Sequence, residues 1–211
     1  MPSKAALEAT QQLAIRSARL RDLIDKVGPC DLRRGRPKRE HFAELARAIA
    51  YQQLAGAAAR TIHGRFEALF ESVAPTPEAV LAQPESALRA CGLSGAKTAA
   101  IRDLAAKCLD GTVELDRLPR LPDETVVDEL VRVRGIGRWT AEMFLIFQLG
   151  RMDVWPVDDL GVRKGFQRIF RRRSAPTPKE LAPLGDPYKP YRSALAWYCW
   201  RAVDTITPSG A

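Results

Sequence analysis

Apolar residues recur at three- and four-residue intervals along almost the whole chain, and no segment shows the two-residue alternation of a half-buried strand. Over residues 5–27 the spacing puts Leu13, Leu20, Leu23, Ile24 and Val27 on one face, predicting one long helix. HFAELARAIAYQQL (41–54) and GAAARTIHGRFEALFES (56–72) repeat the pattern, with Gly56 marking the join. Further helices are predicted at about 85–91, 95–109, 123–133, 138–149, 159–171 and 188–204, and the Pro-rich stretch 74–84 reads as a loop or short helix. The expected fold class is all-α.

With 211 residues, 46% of them hydrophobic, the chain can bury a core as one globular domain or two small helical subdomains. Its formal net charge of +8 favours a polyanionic partner, although a merely soluble basic protein would carry it equally well. Cys30, Cys91, Cys108 and Cys199 form no C-x-x-C pair, which argues against a zinc ribbon or an iron–sulfur cluster. A core of this size needs no disulfides. MPSKAALEATQQLAIRSARL lacks the apolar stretch of a signal peptide, and no segment is apolar enough to span a membrane. A cytoplasmic protein is expected, nucleoid-associated if bacterial.

Two stretches read as connectors. RRGRPKR (33–39) contains an RGRP core that resembles a minor-groove-reading AT-hook, but a solvated basic loop explains it equally simply and is the expectation. RRRSAPTPK (171–179) ends one helix, its prolines preventing continuation. GLSGAKTAA (92–100) faintly echoes GIGRWTAE (135–142), each a glycine turn opening a helix. Lys97 in the first is expected to be a surface residue at a plain helix junction.

Residues 130–170, LVRVRGIGRWTAEMFLIFQLGRMDVWPVDDLGVRKGFQRIF, carry the chemistry. Gly135-Ile136-Gly137 lies between two helical patterns, permitting a tight hairpin whose centre packs inward through Ile136. Such a turn presents backbone N–H groups at a helix start, where a DNA phosphate can bind without reading sequence. An ordinary helix corner would look the same. Some twenty residues on, Pro156-Val157-Asp158-Asp159 opens another helix. Either aspartate could serve as its N-cap.

This order of elements resembles the helix-hairpin-helix, Gly/Pro-rich loop and aspartate signature of the HhH-GPD DNA glycosylase superfamily. It is most similar to the AlkA-type 3-methyladenine DNA glycosylase II branch. AIAYQQLAGAAA, CGLSGAKTAAI, VRGIGRWTAEMF, DVWPVDDLGVRKG and KPYRSALAWYCW carry the resemblance in order, from about residue 40 to 204. It implies a single catalytic unit over residues 1–211 without an N-terminal β-rich domain. Two helical subdomains, about 1–30 plus 171–211 and 40–170, would flank a cleft.

The resemblance places the essential aspartate on Asp159, which could cap the helix as well, and leaves Asp158 with capping alone. Breaking an N-glycosidic bond builds oxocarbenium-like charge on the sugar, which a fixed carboxylate stabilises while it orients or deprotonates water. An alkylated purine is already cationic, so one carboxylate suffices. By position, Trp139 stands where strand-cleaving relatives carry a Schiff-base lysine, and the permanently protonated Arg138 cannot replace it. A monofunctional enzyme without β-lyase activity is therefore implied.

Trp139 and Trp200 would stack on a flipped cationic base. Met143, in place of a tyrosine in some relatives, and Gln53 would share that pocket. Core packing would also explain Trp200, and Tyr191 and Trp197 are weaker candidates. Leu54 would fill the gap left by the extruded nucleotide, although a core leucine would fit the helical pattern equally well. Gly135, Ile136, Gly137, Arg138 and Thr140 would lie against DNA. No organic cofactor is implied, though relatives hold a Na or K ion through hairpin carbonyls, near Val133 and Ile136 here. The expected partner is double-stranded DNA containing alkylated bases, bound by a monomer. The alternatives are a non-catalytic helix-hairpin-helix lesion-binding protein and, less compatible with the missing lysine and cysteine cluster, a glycosylase-lyase for oxidised bases.

Overall fold

The computed structural model describes residues 2–32, 41–54, 56–70 and 74–205. The chain is all-helical over these residues, as the periodicity predicts. Twelve α-helices are present among them: α1 (Lys4–Arg16), α2 (Ala18–Val27), α3 (His41–Tyr51), α4 (Gly56–Ala68), α5 (Pro77–Ala82), α6 (Glu85–Ala90), α7 (Gly95–Leu109), α8 (Asp123–Leu130), α9 (Arg138–Met143), α10 (Leu160–Phe170), α11 (Pro178–Leu184) and α12 (Arg192–Thr205). A π-helical turn at Phe144–Gln148 prolongs α9. RRGRPKR lies outside the described residues.

The single helix expected over 5–27 is two. Ser17 adopts an extended backbone, donates its N–H to Leu13 O and accepts the Leu20 N–H on its hydroxyl, so one residue closes α1 and caps α2. Leu13, Leu20 and Leu23 are buried, while Ile24 and Val27 are only partly so. The Pro-rich stretch holds α5, capped by Thr76. Residues 171–179 lead into α11, which the sequence pattern missed; Thr177 and Glu180 form a capping box at its start.

The chain forms two compact units, residues 1–35 with 145–211, and residues 36–144. The expected division placed 145–170 in the central subdomain. These residues group instead with the terminal segments, because α10 buries Val162, Phe166 and Ile169 in its most extensive packing, against α12, and also meets α2. Gly165 allows that crossing: a Cβ there would lie 2.0 Å from the Cys199 carbonyl oxygen. Tyr198 is fully buried in this unit, its hydroxyl within 3.2 Å of Thr10 Oγ1 and of the Gly28 carbonyl.

In the second unit α7 packs against α3, α5 and α6, over a core that includes Leu45, Ile49, Phe66, Leu88, Ile101, Leu104 and Leu130. Among the described residues no helix is long and apolar enough to cross a membrane, and no cluster of three metal-ligating side chains occurs.

Candidate active site

In the first unit the approach to the aspartate is anchored. Asp153 accepts Arg192 Nε at 2.8 Å and Nη2 at 2.9 Å, a forked pair of the strong kind. The Val154 N–H donates to Ser193 Oγ at 2.9 Å, and the buried Trp155 donates its indole N–H to Leu181 O. From this fixed segment the chain turns through Pro156, whose carbonyl accepts the Asp159 N–H at 3.1 Å, and enters α10.

Asp159, rather than Asp158, is the N-cap: its Oδ1 accepts the Val162 N–H at 2.7 Å. Asp158, expected as a cap, is exposed, and the cap falls to Asp159. The same Oδ1 accepts the indole N–H of Trp200 at 3.0 Å. Phe147, 46% exposed, stacks on the Trp200 ring with centroids 5.6 Å apart and planes 28° apart. Gly161 gives this group room, since a Cβ there would lie 2.9 Å from Trp200 Cδ1 and 3.0 Å from Asp159 Oδ1. Trp200 is partly exposed rather than closed into the core. The lesser candidates are engaged elsewhere in the unit: Tyr191 donates its hydroxyl to Glu8, and Trp197 meets Tyr198 edge-on.

The second unit holds the hairpin. Gly135 has φ +78°, in the left-handed region that favours glycine, and a Cβ there would come within 3.1 Å of Ala100 Cβ. Ile136 is buried as predicted, and its N–H donates to Val133 O. Gly137 is the N-cap of α9 and supplies no side-chain cap. Helix α7 braces the entry to the turn: Asp103 accepts the Arg134 N–H at 2.7 Å and Lys107 Nζ at 2.6 Å, while Lys107 also donates to Arg132 O. Burial raises the Asp103 pKa, but the Lys107 ammonium and the Arg134 N–H outweigh it and hold the carboxyl below its ordinary value.

The Arg138 guanidinium, expected against DNA, is held by carboxylates. It bonds both oxygens of Glu124 on α8, at 2.6 and 2.8 Å, and Glu142 Oε1 on its own helix at 3.2 Å, tying together the two helices that flank the hairpin. Thr140 is buried and faces a cavity of about 390 Å³ lined by Ala48, Tyr51, Gln52, Gln53, Trp139, Thr140 and Met143. Trp139 is 46% exposed. The structure thus gathers Trp139, Met143, Gln53 and Thr140, while Leu54, next along from Gln53, is exposed rather than in the core.

Two contributors were not singled out by the sequence, and a third, Lys97, was assigned to the surface. Phe147 is the partner of Trp200 in the first unit. In the second, Gln52 Nε2 donates to the Gly135 carbonyl at 2.9 Å, and Lys97 Nζ donates to the Ala50 carbonyl at 2.8 Å. Lys97, expected at the surface, is half-buried, and that burial lowers its pKa.

Residues 46–188 match the family model described as HhH-GPD superfamily base excision DNA repair protein. DNA-3-methyladenine glycosylase 1 of Schizosaccharomyces pombe is 36% identical over 181 residues, covering 85% of this chain and 79% of that protein. The solved structure of the 3-methyladenine DNA glycosylase of that yeast in complex with abasic DNA superposes with a TM-score of 0.84 at 34% identity, covering 94% of this chain and 98% of the other. A DNA-3-methyladenine glycosidase from Bacillus halodurans superposes with a TM-score of 0.82 at 32% identity, over 93% and 89% of the two chains.

Proposed function

Because the chain belongs to the HhH-GPD superfamily of base excision DNA repair proteins, we propose that it is a monofunctional DNA glycosylase. Its reaction hydrolyses the N-glycosidic bond of alkylated purines, of the 3-methyladenine and 7-methylguanine type, flipped out of duplex DNA.

The observation that carries this reading is the anchoring of Asp159. Two N–H donors, one from the backbone of α10 and one from Trp200, hold its carboxylate in a single orientation. A carboxylate fixed before the reaction needs no reorganisation as positive charge grows on the sugar, which is where electrostatic catalysis gains most. The same group orients the attacking water. Capping α10 alone would account for one of these bonds, and it is the named glycosylases among the relatives that favour the enzymatic reading over a lesion-binding protein without catalysis.

Trp139, exposed beside the cavity with Met143 and Gln53, supplies an electron-rich face for a cationic base. Leu54, projecting from the turn after α3, enters the duplex where the base has left. The backbone N–H groups of the hairpin grip phosphate. Trp139 at the Schiff-base position supports base release without strand cleavage, and Lys97, committed to the Ala50 carbonyl, supplies no substitute amine. Where a monovalent cation is bound, the Val133 and Ile136 carbonyls would hold it, adding positive charge toward phosphate. The Val133 carbonyl uses one lone pair on the Ile136 N–H and keeps the other, which fits a hard cation. The protein acts as a cytoplasmic monomer on double-stranded DNA.

The test is incubation with methylated duplex DNA and chromatographic identification of released bases. Free 3-methyladenine or 7-methylguanine with an intact, alkali-labile strand is the expected result. Tight lesion binding without release would favour a non-catalytic reader.

A further inference from the structure

We infer that Gln52 and Lys97 are positioning residues that lock the turn carrying Leu54 to the glycine hairpin, so that the wedge and the phosphate grip act as one body. The inference rests on the proposed glycosylase function, for which extrusion of a base is a required step.

The turn after α3 departs from helical geometry in a specific way. Gln52 N–H donates to Ile49 O and Leu54 N–H to Tyr51 O, tightening the end of the helix into three-residue bonds. The Ala50 carbonyl, whose regular helical partner would be the Leu54 N–H, takes the Lys97 ammonium instead. Gln53 follows with φ +55°, a left-handed conformation that a residue with a side chain adopts only when its surroundings hold it there. On its other side the turn is fastened by Gln52, whose amide reaches the Gly135 carbonyl, 83 residues on in sequence.

Gly135 is itself left-handed and rests against Ala100, one helical turn beyond Lys97 on α7. One face of α7 therefore braces the wedge turn through Lys97 and the hairpin through Ala100, while Gln52 joins the two directly. Pushing a leucine into a base stack produces an equal force back on the turn. A compliant turn would recoil, whereas one tied to the hairpin transfers the load to the element that grips phosphate.

The inference predicts that losing either tie impairs extrusion more than hydrolysis. Base release is measured for one alkylated purine in two duplexes, one with the lesion normally paired and one with it opposite an abasic gap, where extrusion costs least. Gln52→Glu keeps the shape but removes the donor, and Lys97→Met removes the ammonium. Gln52→Glu is expected to lower the ratio of paired to gap-opposed release about fivefold, the worth of one ordinary hydrogen bond, and Lys97→Met about tenfold or more, since its donor is charged. Lys97→Arg, which keeps a charged donor, restores the ratio. Melting curves of the variants establish that they are folded. An unchanged ratio in folded Gln52→Glu and Lys97→Met, whether both rates fall together or neither falls, overturns the inference and leaves the proposed function standing. No release from either duplex by the wild-type protein removes the proposed function, and this inference with it.

Discussion

The indole N–H of Trp200 ends on the same oxygen of Asp159, 3.0 Å away, that caps helix α10. One carboxylate oxygen thus joins the start of α10 to α12, and the aromatic surface formed by Trp200 and Phe147 begins where that carboxylate is fixed. Trp200→Phe removes the donor and keeps a ring for Phe147 to stack on. Single-turnover base release should fall roughly ten- to a hundredfold, the worth of a hydrogen bond to a charged group, with abasic-DNA affinity changed far less. Unaltered release would show that the indole does not orient the aspartate.

Asp103 makes stability depend on acid. Its carboxyl is held below its ordinary value of 3.8 in the fold, so the stabilisation is complete above that value and is lost as pH falls through the lower folded-state value. Asp103→Asn should cost about 1 kcal/mol at pH 7, discounted for partial exposure. In urea titrations the gap between the two proteins should narrow below about pH 4. A gap that is the same at pH 7 and pH 3 would contradict the assignment.

Gly165 marks the closest approach of α10 and α12, because an added Cβ meets backbone rather than a movable side chain. Gly165→Ala should destabilise the protein by about 3 kcal/mol, at the upper end of overpacking costs. The corresponding drop in melting temperature is roughly 6–12 °C for a chain of this size. A melting curve within a degree of wild type would mean that the two helices cross less tightly.

The proposed monofunctional reaction makes a chemical prediction. Borohydride reduction during turnover should trap no covalent protein–DNA adduct, and abasic product strands should remain whole until treated with alkali. A trapped adduct would place a reactive amine at the sugar.

The all-helical class was legible because amphipathic spacing persists through nearly every segment, and α7 emerged with the predicted bounds because Ser94 caps it and apolar residues run its length. The break at Ser17 was hidden, since Leu13 and Leu20 stay in helical register across it. Helix α11 hid behind its prolines, although Thr177 and Glu180 carry a capping signature at its start. Adjacent aspartates offered two possible caps, and only the fold assigns that bond to Asp159. Trp139, Met143 and Gln53 were found by resemblance and do share a cavity. Phe147, Gln52 and Lys97 were missed because their parts depend on which surfaces meet across long stretches of chain, which periodicity does not encode.

In the proposed reaction the charge of Asp159, and not merely its shape, drives glycosidic cleavage. Asp159→Asn retains an oxygen able to accept from Val162 and Trp200, so the fold and abasic-DNA binding should survive. Release of 3-methyladenine from methylated duplex under single-turnover conditions should fall by a hundredfold or more. Release within a few-fold of wild type by the folded, DNA-binding variant would contradict the account.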